Sequence, residues 1–383
     1  AMEQLKSRSS SGTASQPAAL VEMPKQLGDY RIVQEIGRGG MGVVYEAIQE
    51  SLRRRVAVKV FSNLTLSEPR HLRRFEREAR TAANLHHTNI VPVFGVGQQE
   101  DLHYFAMQLI DGRGLDEVLR ELRRLCLDSE TRDYHALAPP TSQVDSTFSV
   151  TAAALHLMNG RLTSVAATEQ ETDATRTAIQ TCDQDLTSPG ITSTAILDPG
   201  DTSNVARLAA SKHSGSANTD STHAFDGSPV YWQSIAKIGL QIADALDYAH
   251  EQGVLHRDIK PANLLLDAQG TVWITDFGLA KAIDQDDLSL SGDVVGTLRY
   301  MSPEQFNGNH NKKSDVYSLG LTLYELLLLR PAFDDPDRHR LIQQIAQGNP
   351  PKLRRLNPQI PRDLETIVLT ATAVDPQHRY ASA

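Results

Sequence analysis

The sequence has 383 residues, 40% of them hydrophobic and 22% charged, enough apolar material for a sizeable core in one large or two to three small soluble domains. Its 47 acidic and 38 basic side chains leave a net charge of -9, which disfavours a general affinity for nucleic acid or an anionic membrane surface. Two cysteines, Cys126 and Cys182, are too few for a disulfide scaffold or a four-cysteine zinc site, and read as free thiols in a reducing compartment. The longest aliphatic run, Leu326 to Leu329, is far too short to span a bilayer, and no secretory signal pattern opens the chain. Residues 1–29, rich in Ser, Ala and Gln, read as a flexible leader.

From Tyr30 the pattern changes. Tyr30–Glu35 reads as a strand, a glycine cluster follows, and Val43–Ala47 reads as a second strand. Arg55–Phe61, with Val56, Val58 and Val60 in alternation, is a third. Glu68–Asn84 carries Leu72, Phe75, Ala79 and Ala82 at helical spacing, and Ile90–Gly97 and His103–Leu109 complete a region of five strands and one helix over 30–110. Leu115–Leu125 has a helical apolar stripe. The pattern then collapses over 128–228, where 29 of 101 residues are Ser or Thr and 13 acidic side chains face only five basic ones. This stretch holds nearly all the net charge and reads as an acidic, mostly disordered insertion, with a short helix at Ala152–Met158. Order resumes at Tyr231, where Trp232, Ile235, Ile238, Ile242, Leu246 and Ala249 mark a long helix stopped by Gly253. Helices are predicted near Asp315–Leu329, Arg338–Gln347 and Arg362–Ala373, so 111–383 is mainly helical.

The glycine cluster Gly37-Arg38-Gly39-Gly40-Met41-Gly42 matches G-x-G-x-x-G. A dinucleotide-binding loop has the same spacing but leads into a helix. Here strand follows, which suits backbone N–H groups laid over phosphates, or else a plain tight turn. On the next strand Lys59 has apolar neighbours, and Glu78 on the following helix is its natural salt-bridge partner. In His256-Arg257-Asp258-Ile259-Lys260-Pro261-Ala262-Asn263, Asp258 can accept a proton from an alcohol. Lys260 can offset charge on a phosphoryl group in transfer, and Asn263 can hold magnesium by its amide oxygen. Asp276, in Asp276-Phe277-Gly278, offers a charged metal ligand. One Asp and one Asn make a hard-oxygen set suited to a magnesium ion shared with phosphates.

Together with Phe75-Glu76-Arg77-Glu78-Ala79, Gly296-Thr297-Leu298-Arg299-Tyr300-Met301-Ser302-Pro303-Glu304 and Ser314-Asp315-Val316-Tyr317-Ser318-Leu319-Gly320, these segments resemble a eukaryotic-type serine/threonine protein kinase, in wording nearest the bacterial members. The resemblance runs from about Tyr30 to Ala383, apart from the insertion. It implies a bilobal α+β fold, with a small antiparallel sheet lobe carrying one main helix and a larger, mainly helical lobe. It also implies binding of ATP with Mg²⁺, or Mn²⁺ in its place. The adenine pocket falls to Ile36, Val44, Ala57, Met107 as gatekeeper, the hinge Gln108–Ile110, and Leu265. The glycines Gly37, Gly39, Gly40 and Gly42 cover the phosphates, which Lys59, braced by Glu78, orients. Lys260 and the acceptor-loop residue Thr297 resemble the serine/threonine class. Asp315 steadies the catalytic loop, and Glu304 pairs with Arg379. Ser289 and Ser291 are expected phosphorylation sites, with Arg257 as a cation for the phosphate. The usual Ala-Pro-Glu triplet reads Ser302-Pro303-Glu304, and the family's last helix does not follow before Ala383.

The expected reaction is transfer of the γ-phosphoryl group from ATP to protein Ser/Thr hydroxyls. A nucleotide-binding relative without transfer activity and a small-molecule kinase are the alternatives. The complete set of polar groups argues against the first, and the Gly296-Thr297 acceptor loop against the second. Expected partners are protein substrates and a second copy for phosphorylation in trans. The expected location is cytoplasmic, as the cytosolic part of a membrane-anchored protein where the chain continues.

Overall fold

The structure is a computed structural model. It describes residues 24–39, 42–61, 69–129, 148–160, 227–277, 293–348 and 350–383, with backbone alone for 69–72, 74, 75, 78, 128, 129 and 293–295. The chain divides into two units, Ala1–Ser164 with Ala224–Ala383, and Val165–His223; the described residues belong to the first.

Seven elements build the smaller lobe. They are β1 (Gln26–Leu27), β2 (Tyr30–Gly39), β3 (Gly42–Gln49), β4 (Arg54–Phe61), α1 (Pro69–Ala82), β5 (Val93–Gln99) and β6 (Leu102–Gln108). The six strands form one antiparallel sheet in the order β1-β2-β3-β4-β6-β5. The alternation in β4 sets the two faces. Val56, Val58 and Val60 pack with Tyr45, Ala47 and Tyr104 on one side, while Ala57 and Phe61 join Phe105 and Met107 on the other. Lys59 falls between Ala57 and Phe61 on that second face, which is how a lysine comes to be 7% exposed. The sheet starts earlier than the sequence reading placed it. Gln26 and Leu27 pair with Arg31 and Tyr30, and Leu27 is fully buried. Two residues are too short for a strand pattern to register, which is why 24–29 read as leader in the sequence.

The larger lobe follows with β7 (Gly112–Gly114), α2 (Leu115–Ser129), α3 (Val150–Asn159), α4 (Pro229–Glu251), β8 (Leu264–Asp267), β9 (Val272–Ile274), α5 (Asp293–Leu298), α6 (Lys312–Leu328), α7 (Arg338–Gln347), α8 (Leu353–Leu356) and α9 (Arg362–Ala371). Strands β7, β8 and β9 make a second small antiparallel sheet. Helix α4 starts at the N-cap Ser228 with Pro229 behind it, and the chain leaves it through Gly253 at φ 73°. Its buried stripe, from Tyr231 to Ala249, lies in the main core. Helix α6 is buried on all sides from Ser314 to Leu327, the mark of a central helix. It meets α9 closely: a Cβ on Gly320 would lie 2.7 Å from Thr372 and 2.9 Å from Ala371.

Helix α3 lies where a short helix is expected within 128–228, and it is docked rather than free. The reading placed a short helix at Ala152–Met158 inside a mostly disordered segment. The structure shows Val150–Asn159 capped by Ser149 and closed by Gly160 at φ 65°, with Ala153, Ala154 and Leu157 wholly buried in the core. Small alanines let the helix sit close to α2 and α4. The other described part of 128–228, at 227–228, caps α4. Residues 130–147 and 161–226 lie outside the described residues.

A polar strap fastens the smaller lobe to α4. Asn89 donates through Nδ2 to Gln241 Oε1 and to the Val272 carbonyl, both at 2.8 Å. His87 lies 3.1 Å from Asp244 and stacks on Tyr248.

Candidate active site

The floor of the cleft is the loop between α4 and the 3₁₀ turn Pro261–Asn263, and one buried carboxylate sets its shape. Asp315, in the first turn of α6, accepts through Oδ1 from the Arg257 amide (2.7 Å) and through Oδ2 from the His256 amide (2.9 Å). His250 Nε2 lies 2.8 Å from the same Oδ2. These bonds hold Arg257 at φ 73°, a conformation that costs a residue with a side chain. His256 donates through Nε2 to the Thr275 carbonyl at 2.8 Å and accepts the Asp258 amide on Nδ1. Its ring meets Phe277 edge-on at 4.7 Å. Burial pushes the His256 imidazole below the usual histidine range, against the pull of Asp315, so the ring is neutral.

On this frame the charged groups converge. Asp258 Oδ2 receives Lys260 Nζ at 2.8 Å and Asn263 Nδ2 at 3.0 Å. Asn263 Nδ2 also donates to the Asp258 carbonyl at 2.7 Å, so its oxygen is the side-chain atom left to face a cation. Lys260 Nζ donates in addition to Thr297 Oγ1 at 2.9 Å, which ties the catalytic loop to the end of α5. Asp276, at φ 62°, pairs through Oδ1 with Lys59 Nζ at 2.7 Å. Lys59 was expected to pair with Glu78; the ion pair shown is with Asp276, and Glu78 lies on α1 with its side chain outside the described residues. Asp276 and Asn263 fit a magnesium ion in donor type, both offering hard oxygens.

The roof is the β2–β3 hairpin. At Gly42 a Cβ would lie 2.0 Å from the Val60 carbonyl, so the close packing of β3 on β4 requires glycine. Gly37 and Gly39 differ: a Cβ there would meet only Val44 at 3.8 Å, or nothing within 4 Å. Protein packing does not demand those two glycines, which suits a loop kept bare for a ligand. Gly40 lies outside the described residues. Between roof and floor, Val44, Ala57, Met107 and Ile110 share one apolar group. Leu265 lies half-buried on β8, opposite Trp273 of that group. Ile36, on β2, is 45% exposed and stands apart from it. The Gln108 amide is committed to the Pro92 carbonyl at 2.9 Å, so it is not the hinge donor for a base. Behind Met107 a small hollow lies among Ala79, Ile90, Phe105 and Phe277.

Past Thr297 the chain is pinned to the helical core. Glu304 receives Arg379 at 2.7 and 2.9 Å and Ser314 at 2.7 Å. Burial raises the Glu304 carboxyl, but these bonds outweigh it and hold the group below its ordinary range. Sequence reasoning missed a second pin. Tyr300 donates to Glu325, which also receives Arg123 of α2 at 2.5 Å. No local spacing announces a contact between residues some 200 positions apart. Ser289 and Ser291 lie outside the described residues.

Residues 30–382 match the family model for protein tyrosine and serine/threonine kinases. This chain belongs to the protein tyrosine and serine/threonine kinase family. Its kinase domain is 28% identical over 357 residues to the serine/threonine-protein kinase PrkC of Bacillus subtilis, covering 93% of this chain and 39% of PrkC. It is 28% identical to the probable serine/threonine-protein kinase PknB of Lactococcus lactis, over 94% of this chain and 41% of that protein. To PknH of Mycobacterium tuberculosis it is 26% identical, over 93% of this chain and 40% of PknH. The chain thus spans about two fifths of the length of the curated relatives it matches. The fold agrees with crystal structures of the Mycobacterium tuberculosis PknI kinase domain, with a TM-score of 0.53 at 21% identity over 94% of both chains. The small antiparallel sheet lobe and the larger helical lobe are those of the kinase fold.

Proposed function

We propose that the chain transfers the γ-phosphoryl group of ATP to Ser or Thr hydroxyls of proteins. The observation that carries this reading is Lys260, which bridges Asp258 at 2.8 Å and Thr297 at 2.9 Å. It links the expected proton acceptor to the loop expected to present the acceptor hydroxyl. In the proposed mechanism the Gly37–Gly42 loop covers the phosphates and Lys59 orients them. Asp258 positions the hydroxyl and takes its proton. Lys260 offsets charge on the phosphoryl oxygens as they move. Asn263 and Asp276 hold Mg²⁺, or Mn²⁺ with the same preference for oxygen; the ion supplies charge neutralisation on the phosphates. Phosphoryl transfer depends on positioning and electrostatics, which accounts for the role of Asp315 in fixing the loop.

The same reading makes 30–110 and 111–383 the two lobes, 1–29 a leader whose last residues belong to the sheet, and 128–228 an insertion with α3 docked in the core. Autophosphorylation at Ser289 and Ser291, with Arg257 as the nearby cation, and on hydroxyls of the insertion follows from this activity. A cytoplasmic location and phosphorylation between two copies complete the proposal. Among the described residues no helix is long and apolar enough to cross a membrane. Incubation with ATP–Mg²⁺ and generic protein acceptors, followed by phosphoamino-acid analysis, tests it. Phosphoserine and phosphothreonine are expected. Phosphotyrosine alone, or label only on small molecules, would overturn the assignment. Peptide mapping of active protein that found Ser289 and Ser291 unmodified would remove the activation-loop part. Excision of 161–226 that left phosphate stoichiometry unchanged would remove the insertion as an acceptor.

A further inference from the structure

Helix α3 does more than fill space. The residue before its cap, Phe148, offers its carbonyl to Arg113 Nε at 2.8 Å. Arg113 is the middle residue of β7, three positions past the hinge residue Ile110, and its register partner on β8 is Leu266, beside Leu265. The Phe148 ring packs on the core and lies 5.9 Å from His156 of α3. Helix α3 is itself held from three sides. Ala153, Ala154 and Leu157 are wholly buried. Thr151 donates to Glu121 of α2 at 2.8 Å. Ser228, the cap of α4, lies 3.4 Å from the Met158 carbonyl. Helix α2 in turn packs on the Pro261–Asn263 turn of the catalytic loop. A rigidly seated helix therefore fixes, through one charge-assisted bond, the short strand that joins the hinge to the floor of the adenine pocket.

We infer that α3 is a buttress of the nucleotide site and that Arg113 is a positioning residue for the base, acting through β7. The inference rests on the kinase reading only for where the nucleotide sits, so its test reads binding separately from transfer. Arg113 touches none of the reacting groups. Losing its bond loosens β7 and the hinge, while the loop of Asp258 and Lys260 keeps its own anchors at Asp315 and Thr297. The signature is weaker nucleotide binding with transfer intact.

The test uses the full chain carrying Arg113→Ala or Arg113→Lys. ADP–Mg²⁺ affinity is measured by titration calorimetry, and phosphoryl transfer is followed over a range of ATP concentrations. For Arg113→Ala the Kd for ADP and the KM for ATP are expected to rise about three- to tenfold, a fraction of the net worth of a hydrogen bond from a charged group because the bond acts on the base only through β7, with kcat within about twofold. Arg113→Lys, which keeps a cationic donor, is expected to recover part of the loss. An Arg113→Ala protein with unchanged ADP affinity would overturn the inference. So would a fall in kcat at unchanged KM, or a loss shared equally by the lysine variant and accompanied by a lowered melting temperature. If the wild-type chain binds ADP but transfers no phosphate, the proposed activity fails while the titration still decides the role of Arg113.

Discussion

On the floor of the cleft, Asp315 is 1% exposed and holds two consecutive backbone amides of the loop that carries Asp258; on the roof, Arg38 pairs with Glu35 of its own strand, in an ion pair whose side chains are 64% and 38% exposed. The floor is built on buried, charge-assisted bonds to the central helix α6. The roof has bare glycines at 37 and 39 and a half-exposed Ile36. Buried networks of this kind rigidify, whereas exposed pairs contribute little. The difference separates two tasks. On the proposed function, the groups that would meet a phosphoryl group in fixed geometry stand on the floor, and the surface that would admit and cover a nucleotide stays compliant.

Substitutions on the floor should therefore cost far more than substitutions on the roof. Asp258→Asn removes the proposed proton acceptor and is expected to lower kcat by at least about 10²–10³, the loss typical of one electrostatic group in a catalytic site. Asp276→Asn and Lys59→Ala should fall in the same range, read in single-turnover transfer assays. Asp315→Asn leaves every reacting group in place but weakens the hold on His256 and Arg257. A loss on the order of 10² in kcat is expected, since displacement of about 1 Å in a positioning element has that effect. If Asp315→Asn left kcat unchanged, the floor would be less dependent on its anchor than its bonds imply.

Next in size comes Arg379→Met. It leaves Glu304 half-buried with Ser314 as its remaining side-chain partner, and breaking such a pair typically costs about 3–5 kcal/mol; urea unfolding gives the value. Stability should also depend on pH through His256. Its folded-state pKa lies below the unfolded one, so the unfolded chain binds the extra proton. The contribution is full above about pH 6.5 and shrinks as pH falls below it. His256→Phe should flatten the decline in urea midpoint between pH 7 and 5; an unchanged slope would show that other groups carry it. The roof change Gly39→Ala is expected to be smallest, raising the KM for ATP a few-fold with stability within about 0.5 kcal/mol, as for surface changes. A large loss of stability there would erase the contrast.

Much of the floor could be read in the sequence because local order brings it together. His256, Asp258, Lys260 and Asn263 lie within eight positions, and their chemistry is specific at that spacing. The alternation of β4 likewise put Lys59 on the cleft face, and the apolar stripe of α4 gave a helix within two residues of its true ends. What stayed hidden is long-range or locally disguised. The Arg123–Glu325–Tyr300 pin and the Lys59–Asp276 pair join distant segments, so no window contains both partners. Helix α3 is legible as a short helix at Ala152–Met158, but its docking in the core is not, because its alanines look like low complexity until α2 and α4 are placed beside them. β1 is two residues long and gains its order from Leu27 inserting under the sheet.

On the proposed function, Asp258 stands at the centre of a working phosphoryl-transfer site. Intact-mass spectrometry of phosphatase-treated protein, before and after ATP–Mg²⁺, with Asp258→Asn in parallel, tests it most directly. Added mass in steps of one phosphate for the wild type and none for the variant is the expected result. Equal phosphate uptake by the Asp258→Asn protein, or none by either protein on itself or on generic acceptors, would contradict it.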